Sequence, residues 1–209
     1  MFTRDSEIQG GADVKRQGGR WRTPAVAALA VLIATAAIVG LADRAGYDVS
    51  ALIRDAAAEF DVPISAGSVS FIGVVMLLLT SGAAAVTAMA TRTNRAVLAA
   101  VGLLSLMLAL DDQFMLHERI IKRYFGIEEE VVMAVYALWA TGLLIAVWRG
   151  RLKPWVSGLL VPAGVMALSV TADQVGTSYV IEDLLKVTGF GAWAAFWVSV
   201  SRATLQGHA

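Results

Sequence analysis

Residues 96–118 read AVLAAVGLLSLMLALDDQFMLHE, and residues 179–201 read YVIEDLLKVTGFGAWAAFWVSVS. Each is an apolar block with ionisable residues inside one of its ends. The first carries Asp111, Asp112, His117 and Glu118, and the second carries Glu182, Asp183 and Lys186. Neither block reaches the roughly 20 residues that cross a bilayer unless those residues are counted. A charge at mid-helix costs about 2.5–3.5 kcal/mol on insertion scales, so something must offset it. These residues are where function is sought.

The rest of the chain fits the same class. Its 209 residues are 57% hydrophobic and 16% charged, with mean hydropathy +0.67. A soluble domain carries about 25% charged residues. Apolar residues fall in long blocks at 24–42, 67–90, 96–117, 130–148, 155–174 and 179–201. The blocks predict an all-α integral membrane protein, a bundle of six transmembrane helices. The first block, PAVAALAVLIATAAIVGLA, is read as a span and not as a signal peptide, because it exceeds the usual apolar region of roughly 7–15 residues. Residues 1–23 are polar, Gly-rich and basic and predict a disordered tail. Residues 24–203 form the membrane domain and 204–209 a second tail.

Alternating the helices puts Arg20 and Arg22, Arg92 and Arg95, Arg149, Arg151 and Lys153, and Arg202 on one side. The positive-inside rule makes that side cytoplasmic, with both termini inside and the chain multi-pass in a cell inner (plasma) membrane. Trp21, Trp148 and Trp155 stand beside these clusters as interface anchors. Arg119, Lys122 and Arg123 fall on the outer side against the rule, next to Glu118 and the run Glu128–Glu129–Glu130. In the outer segment Asp48–Phe60, residues Val49, Leu52, Ile53, Ala56 and Phe60 recur at helical spacing ahead of Pro63. That pattern predicts a short amphipathic outer helix. Gly67, Gly73 and Gly82 in the second span, and Gly189 and Gly191 in the sixth, predict close helix contacts.

The chain has no cysteine, which excludes disulfides, thiolate metal sites and iron–sulfur clusters. Zero net charge gives no field to attract nucleic acid. The expected partner is membrane lipid. Self-association, or a place in a membrane complex, stays open.

Depth brings the ionisable residues together. Asp111 lies about 10 Å below the outer end of its span and Lys186 about 9 Å below the end of its own. Glu182 and Asp183 sit one turn above Lys186, and Asp173 ends the fifth span. On a regular helix Asp111 shares a face with Glu118, Asp112 shares one with Arg119, and His117 reaches the interior only if the helix end turns it inward. In this arrangement Asp112 and Glu118 serve as ligands or general base, and His117 carries the proton. Lys186 holds Asp111 ionised or binds an anionic headgroup, or, in a purely structural reading, pairs with Asp111 or Asp112. Asp112, His117, Glu118, Asp173 and Glu182 also suit a divalent metal such as Zn, Mn or Fe. The run Glu128–Glu130 reads as acids favouring a helix N-terminus.

Two function classes follow. One is a metal- or acid/base-dependent membrane hydrolase acting on a lipid or amphiphile. The other is a non-catalytic protein, an assembly subunit or a small ion- or proton-coupled transporter, whose Asp111, Asp183 and Lys186 belong to a structural ion-pair network. The inner half of the spans holds hydroxyls but no comparable acids, so no continuous transport path is evident. Whether the chain is an enzyme stays open at this point, and no motif identifies a family.

Overall fold

The computed structural model describes residues 22–47, 67–176 and 179–207, and every regular element among them is helical. The order is α1 (Arg22–Arg44), α2 (Ser68–Ala90), α3 (Arg95–Phe114), a π-helical turn (Leu116–Ile120), α4 (Ile121–Phe125), α5 (Glu129–Arg149), a short 3-10 turn (Lys153–Trp155), α6 (Val156–Gln174) and α7 (Tyr179–Leu205).

The chain divides into two compact units, residues 1–66 and 67–209. In the first, α1 ends in a Schellman motif. Gly46 takes φ 79°, Gly46 N–H donates to Asp43 O, and Tyr47 N–H donates to Ala42 O. The predicted outer helix at 48–60 and the predicted tail through residue 21 lie outside the described residues.

In the second unit α2, α3, α5, α6 and α7 are each long and apolar enough to cross a membrane. This is the pattern of a multi-pass membrane protein. Two boundaries differ from expectation. The last helix continues to Leu205, past the boundary drawn at residue 203. The third span stops at Phe114 and not at residue 117, because Met115 takes a left-handed conformation with φ 49°. A left-handed non-glycine residue costs roughly 1–2 kcal/mol, so the break needs a compensating interaction.

The packing is layered around α2 and α7. Helix α2 lies against α3 and α7, and α7 lies against α6. Leu77 and Ala84 of α2, Leu98 and Val101 of α3, and Trp197 and Val200 of α7 form the buried seam. Small residues allow close approach without a hydrophobic driving force between spans. A Cβ at Gly102 would stand 3.3 Å from the Ser81 carbonyl, and one at Gly189 would stand 2.7 Å from Met166 Cγ. Gly73 meets Phe190 in the same way, at 3.0 Å. Gly67, Gly82 and Gly191 depart from expectation, since a Cβ at any of the three would meet open space. Trp193 Nε1 donates to Ser105 Oγ at 3.0 Å and ties α7 to α3 inside the seam.

Helix α5 touches α3 and α6 only lightly and leaves Val131, Val135 and Leu138 exposed. The space this leaves between α3, α5, α6 and α7 holds the ionisable residues.

Candidate functional site: an aspartate–histidine pair over a membrane cavity

The break at Met115 builds the site. Past it the backbone winds into the π turn, and His117 folds back over the last turn of α3. Its backbone N–H donates to Asp111 Oδ1 at 2.8 Å, and its ring Nδ1 lies 2.6 Å from Asp111 Oδ2. Asp111 is only 4% exposed. With the carboxylate ionised and the ring neutral, this contact requires the ring proton on Nδ1, because a carboxylate only accepts. The two bonds are charge-assisted and offset the cost of the Met115 conformation. π turns within α-helices recur at functional sites.

Asp112, one position on, points to the other side. Ser70 Oγ of α2 donates to its Oδ2 at 3.0 Å, and Lys186 Nζ of α7 lies 3.2 Å from its Oδ1. Lys186 also reaches Asp183 Oδ1 at 3.5 Å, one turn back on its own helix. The expectation that Lys186 holds Asp111 is therefore corrected. The lysine pairs with Asp112, because α7 packs on the α2 side of α3, whereas Asp111 faces the side where His117 returns.

Between these pairs lies a cavity of about 190 Å³. Asp111, Asp112, His117, Glu129, Glu182 and Lys186 contribute to its polar wall, and Leu108, Met133, Met166 and Phe190 to its apolar wall. Glu129 Oε1 is 3.7 Å from His117 Nε2. Tyr136, Asp173 and Ser169 also line it, and Ser169 Oγ donates to the Glu182 backbone carbonyl at 3.3 Å, joining α6 to α7. Asp173 is exposed, and Asp183 lies beside Lys186. The side chain of Glu118 lies outside the described residues.

Sequence reasoning missed Ser70, Glu129 and Tyr136. Ser70 carried no signal beyond standing in the first turn of a span. Glu129 was absorbed into the acidic run at a helix start, where Glu128 meets Lys122. Glu128 Oε2 lies 2.7 Å from Lys122 Nζ in the connecting segment. That hydrogen bond raises the Lys122 pKa above its ordinary 10.5.

The proposed metal ligands divide between separate partners, His117 with Asp111 and Asp112 with Ser70 and Lys186. Among the described residues no three His, Cys, Asp or Glu side chains are placed to hold a metal ion. The arrangement suits proton transfer, with a buried carboxylate orienting an imidazole that lines a half-apolar cavity.

No curated protein and no solved structure matches this sequence. Residues 25–200 match the family described as Domain of unknown function (DUF8692), and the chain belongs to that family.

Proposed function

We propose that the chain is a six-span protein of the cell inner (plasma) membrane, with α1 as the first span and both termini cytoplasmic. We infer that its cavity is the acid–base site of a hydrolase acting on a lipid or other amphiphile that enters from the outer leaflet. One observation supports the reading: Asp111 holds His117 by both its backbone and its ring, and the imidazole so oriented lines the cavity.

The steps follow from that geometry. A water oxygen bonds to an ester carbonyl carbon while Nε2 takes its proton. Asp111 and Glu129 stabilise the imidazolium that forms. The tetrahedral intermediate collapses, the carbon–oxygen bond to the alcohol breaks, and the imidazolium returns the proton to the departing alkoxide. General acid–base transfer of this kind contributes typically 10²–10⁴-fold. The apolar wall receives the first part of a hydrocarbon chain, and the rest stays in the bilayer. Lys186, paired with Asp112, faces an anionic headgroup.

A specific observation favours a structural role for part of the cluster. Both Asp112 oxygens are engaged, and the resulting Ser70–Asp112–Lys186 link joins α2, α3 and α7. We read this link as scaffold and the Asp111–His117 pair as chemistry.

The test is turnover of a panel of fluorogenic short-chain esters and lysophospholipids by the full chain in nanodiscs. His117→Gln is expected to lower turnover at least about 100-fold while the protein keeps its melting temperature within a few degrees. Hydrolysis undiminished in His117→Gln, or no hydrolysis of any panel member by the parent protein, sinks the reading.

A further inference from the structure

The opposite end of the bundle carries a second feature. Arg92 and Arg95 at the α2–α3 junction, Arg149, Arg151 and Lys153 at the α5–α6 junction, and Arg202 in the last turn of α7 are all exposed there. Between the second half of α2 and the last turns of α7 runs a groove of about 540 Å³. Its floor is smooth and apolar, with Gly82, Ala83 and Val86 on α2 and Val198 and Leu205 on α7. Arg202 and Gln206 stand at its basic end.

Two observations point to a ligand with both an apolar body and a polar head. First, Ser201 lines the groove, is only 3% exposed, and its hydroxyl has no hydrogen-bond partner among the described residues. A buried polar group left unpaired is costly, so a polar atom brought to the groove beside Ser201 would gain a hydrogen bond there. Second, Gly82 faces open space, so the groove is not filled by neighbouring side chains of α2 or α7. The volume falls within the range of about 300–1,000 Å³ usual for bound small molecules. A guanidinium at the end of an apolar channel, level with a basic rim, complements a phosphate that carries acyl chains.

We propose that the α2–α7 groove is a binding site for one anionic phospholipid, an acyl chain lying over Gly82 and Val86 and the phosphate held by Arg202. Ser201 donates to an ester or phosphate oxygen of the same lipid. The site is separate from the His117 cavity and does not depend on the hydrolase reading.

The test is native mass spectrometry of the full chain after equilibration in nanodiscs of phosphatidylglycerol or phosphatidylcholine. The parent protein is expected to retain one phosphatidylglycerol per chain, with at least about tenfold preference over phosphatidylcholine. Arg202→Gln removes the preference. Gly82→Leu fills the groove and removes the retained lipid, whereas Gly191→Leu, which also projects into open space, leaves retention unchanged. If Gly82→Leu does not fold, Val198→Trp fills the groove from the α7 side and carries the same expectation. Retention by the filled variants equal to that of the parent overturns the proposal, as does absence of retained phosphatidylglycerol in the parent. Loss of a dimer in Gly82→Leu with lipid retention unchanged also overturns it and assigns the groove to a second copy of the chain.

Discussion

Asp111 engages one residue six positions later twice: its Oδ1 accepts from the His117 backbone N–H, and its Oδ2 lies 2.6 Å from the His117 ring Nδ1. A regular α-helix does not bring residues i and i+6 onto one face. The pair exists because the helix breaks at Met115, and the break persists because the pair rewards it. Geometry and chemistry are coupled at this point.

Replacing Asp111 by Asn tests that coupling. The amide keeps one acceptor oxygen but turns the other position into a donor, facing a ring nitrogen that already carries a proton. Hydrogen bonds to charged groups contribute about 1.5–3 kcal/mol, and a loss of that order is expected in stability by denaturant titration in detergent. Ester turnover falls with it, as far as in His117→Gln. Full stability in Asp111→Asn contradicts a binding role for the carboxylate.

Met115→Gly probes the cost side. Glycine adopts φ 49° without the steric penalty of a Cβ. The substitution is expected to leave turnover intact and to raise stability by up to about 1 kcal/mol, reduced by glycine's greater freedom in the unfolded chain. A loss of more than about 1 kcal/mol would mean that the Met115 side chain itself supports the turn.

Lys186→Met leaves Asp112 with Ser70 as its remaining partner among those described above. Removing one member of a largely buried pair costs about 3 kcal/mol, reduced here because Lys186 keeps some exposure. The double variant Asp112→Asn with Lys186→Met is expected to recover at least half of that loss, read as a coupling energy in a double-mutant cycle. Additive effects of the two single changes contradict a scaffold link.

The Lys122–Glu128 pair carries a pH signature of known sign. The folded-state pKa of Lys122 is raised, chiefly by its hydrogen bond to Glu128. Its contribution is therefore complete below the unfolded value of 10.5 and is lost as pH rises through the higher folded value. Lys122→Met is expected to lower the melting temperature slightly near neutral pH, with the gap closing at alkaline pH above 10.5. The pair is exposed, so a large effect near neutral pH would contradict the assignment.

Much of this arrangement was legible in the sequence, and the remainder was hidden for physical reasons. Apolar block length found α2, α5 and α6 to within about two residues, because bilayer thickness imposes one length on every span. Matching depths along α3 and α7 brought Asp112 and Lys186 to one level, since helical rise is uniform. The return of His117 was not legible, because no glycine or proline marks the break. A helical wheel instead placed Asp111 beside Glu118. Choosing between Asp111 and Asp112 as the lysine's partner required knowing that α7 packs on α2, a tertiary fact with no local signal. Glycine spacing identified the close contacts at Gly73 and Gly189 but also pointed to Gly67, Gly82 and Gly191, because a small residue permits approach without requiring it.

The most direct measurement is the protonation pattern of the His117 ring. The chain has two histidines, and His208→Gln leaves His117 as the sole imidazole for ¹⁵N NMR in nanodiscs. At a pH where the ring is neutral, the account requires one tautomer, with Nδ1 protonated and coupled to Asp111, and Nε2 showing the shift of an unprotonated nitrogen. Asp111→Asn should release this preference. A ring averaged between tautomers, or one carrying its proton on Nε2, would contradict the oriented base on which the proposed chemistry depends.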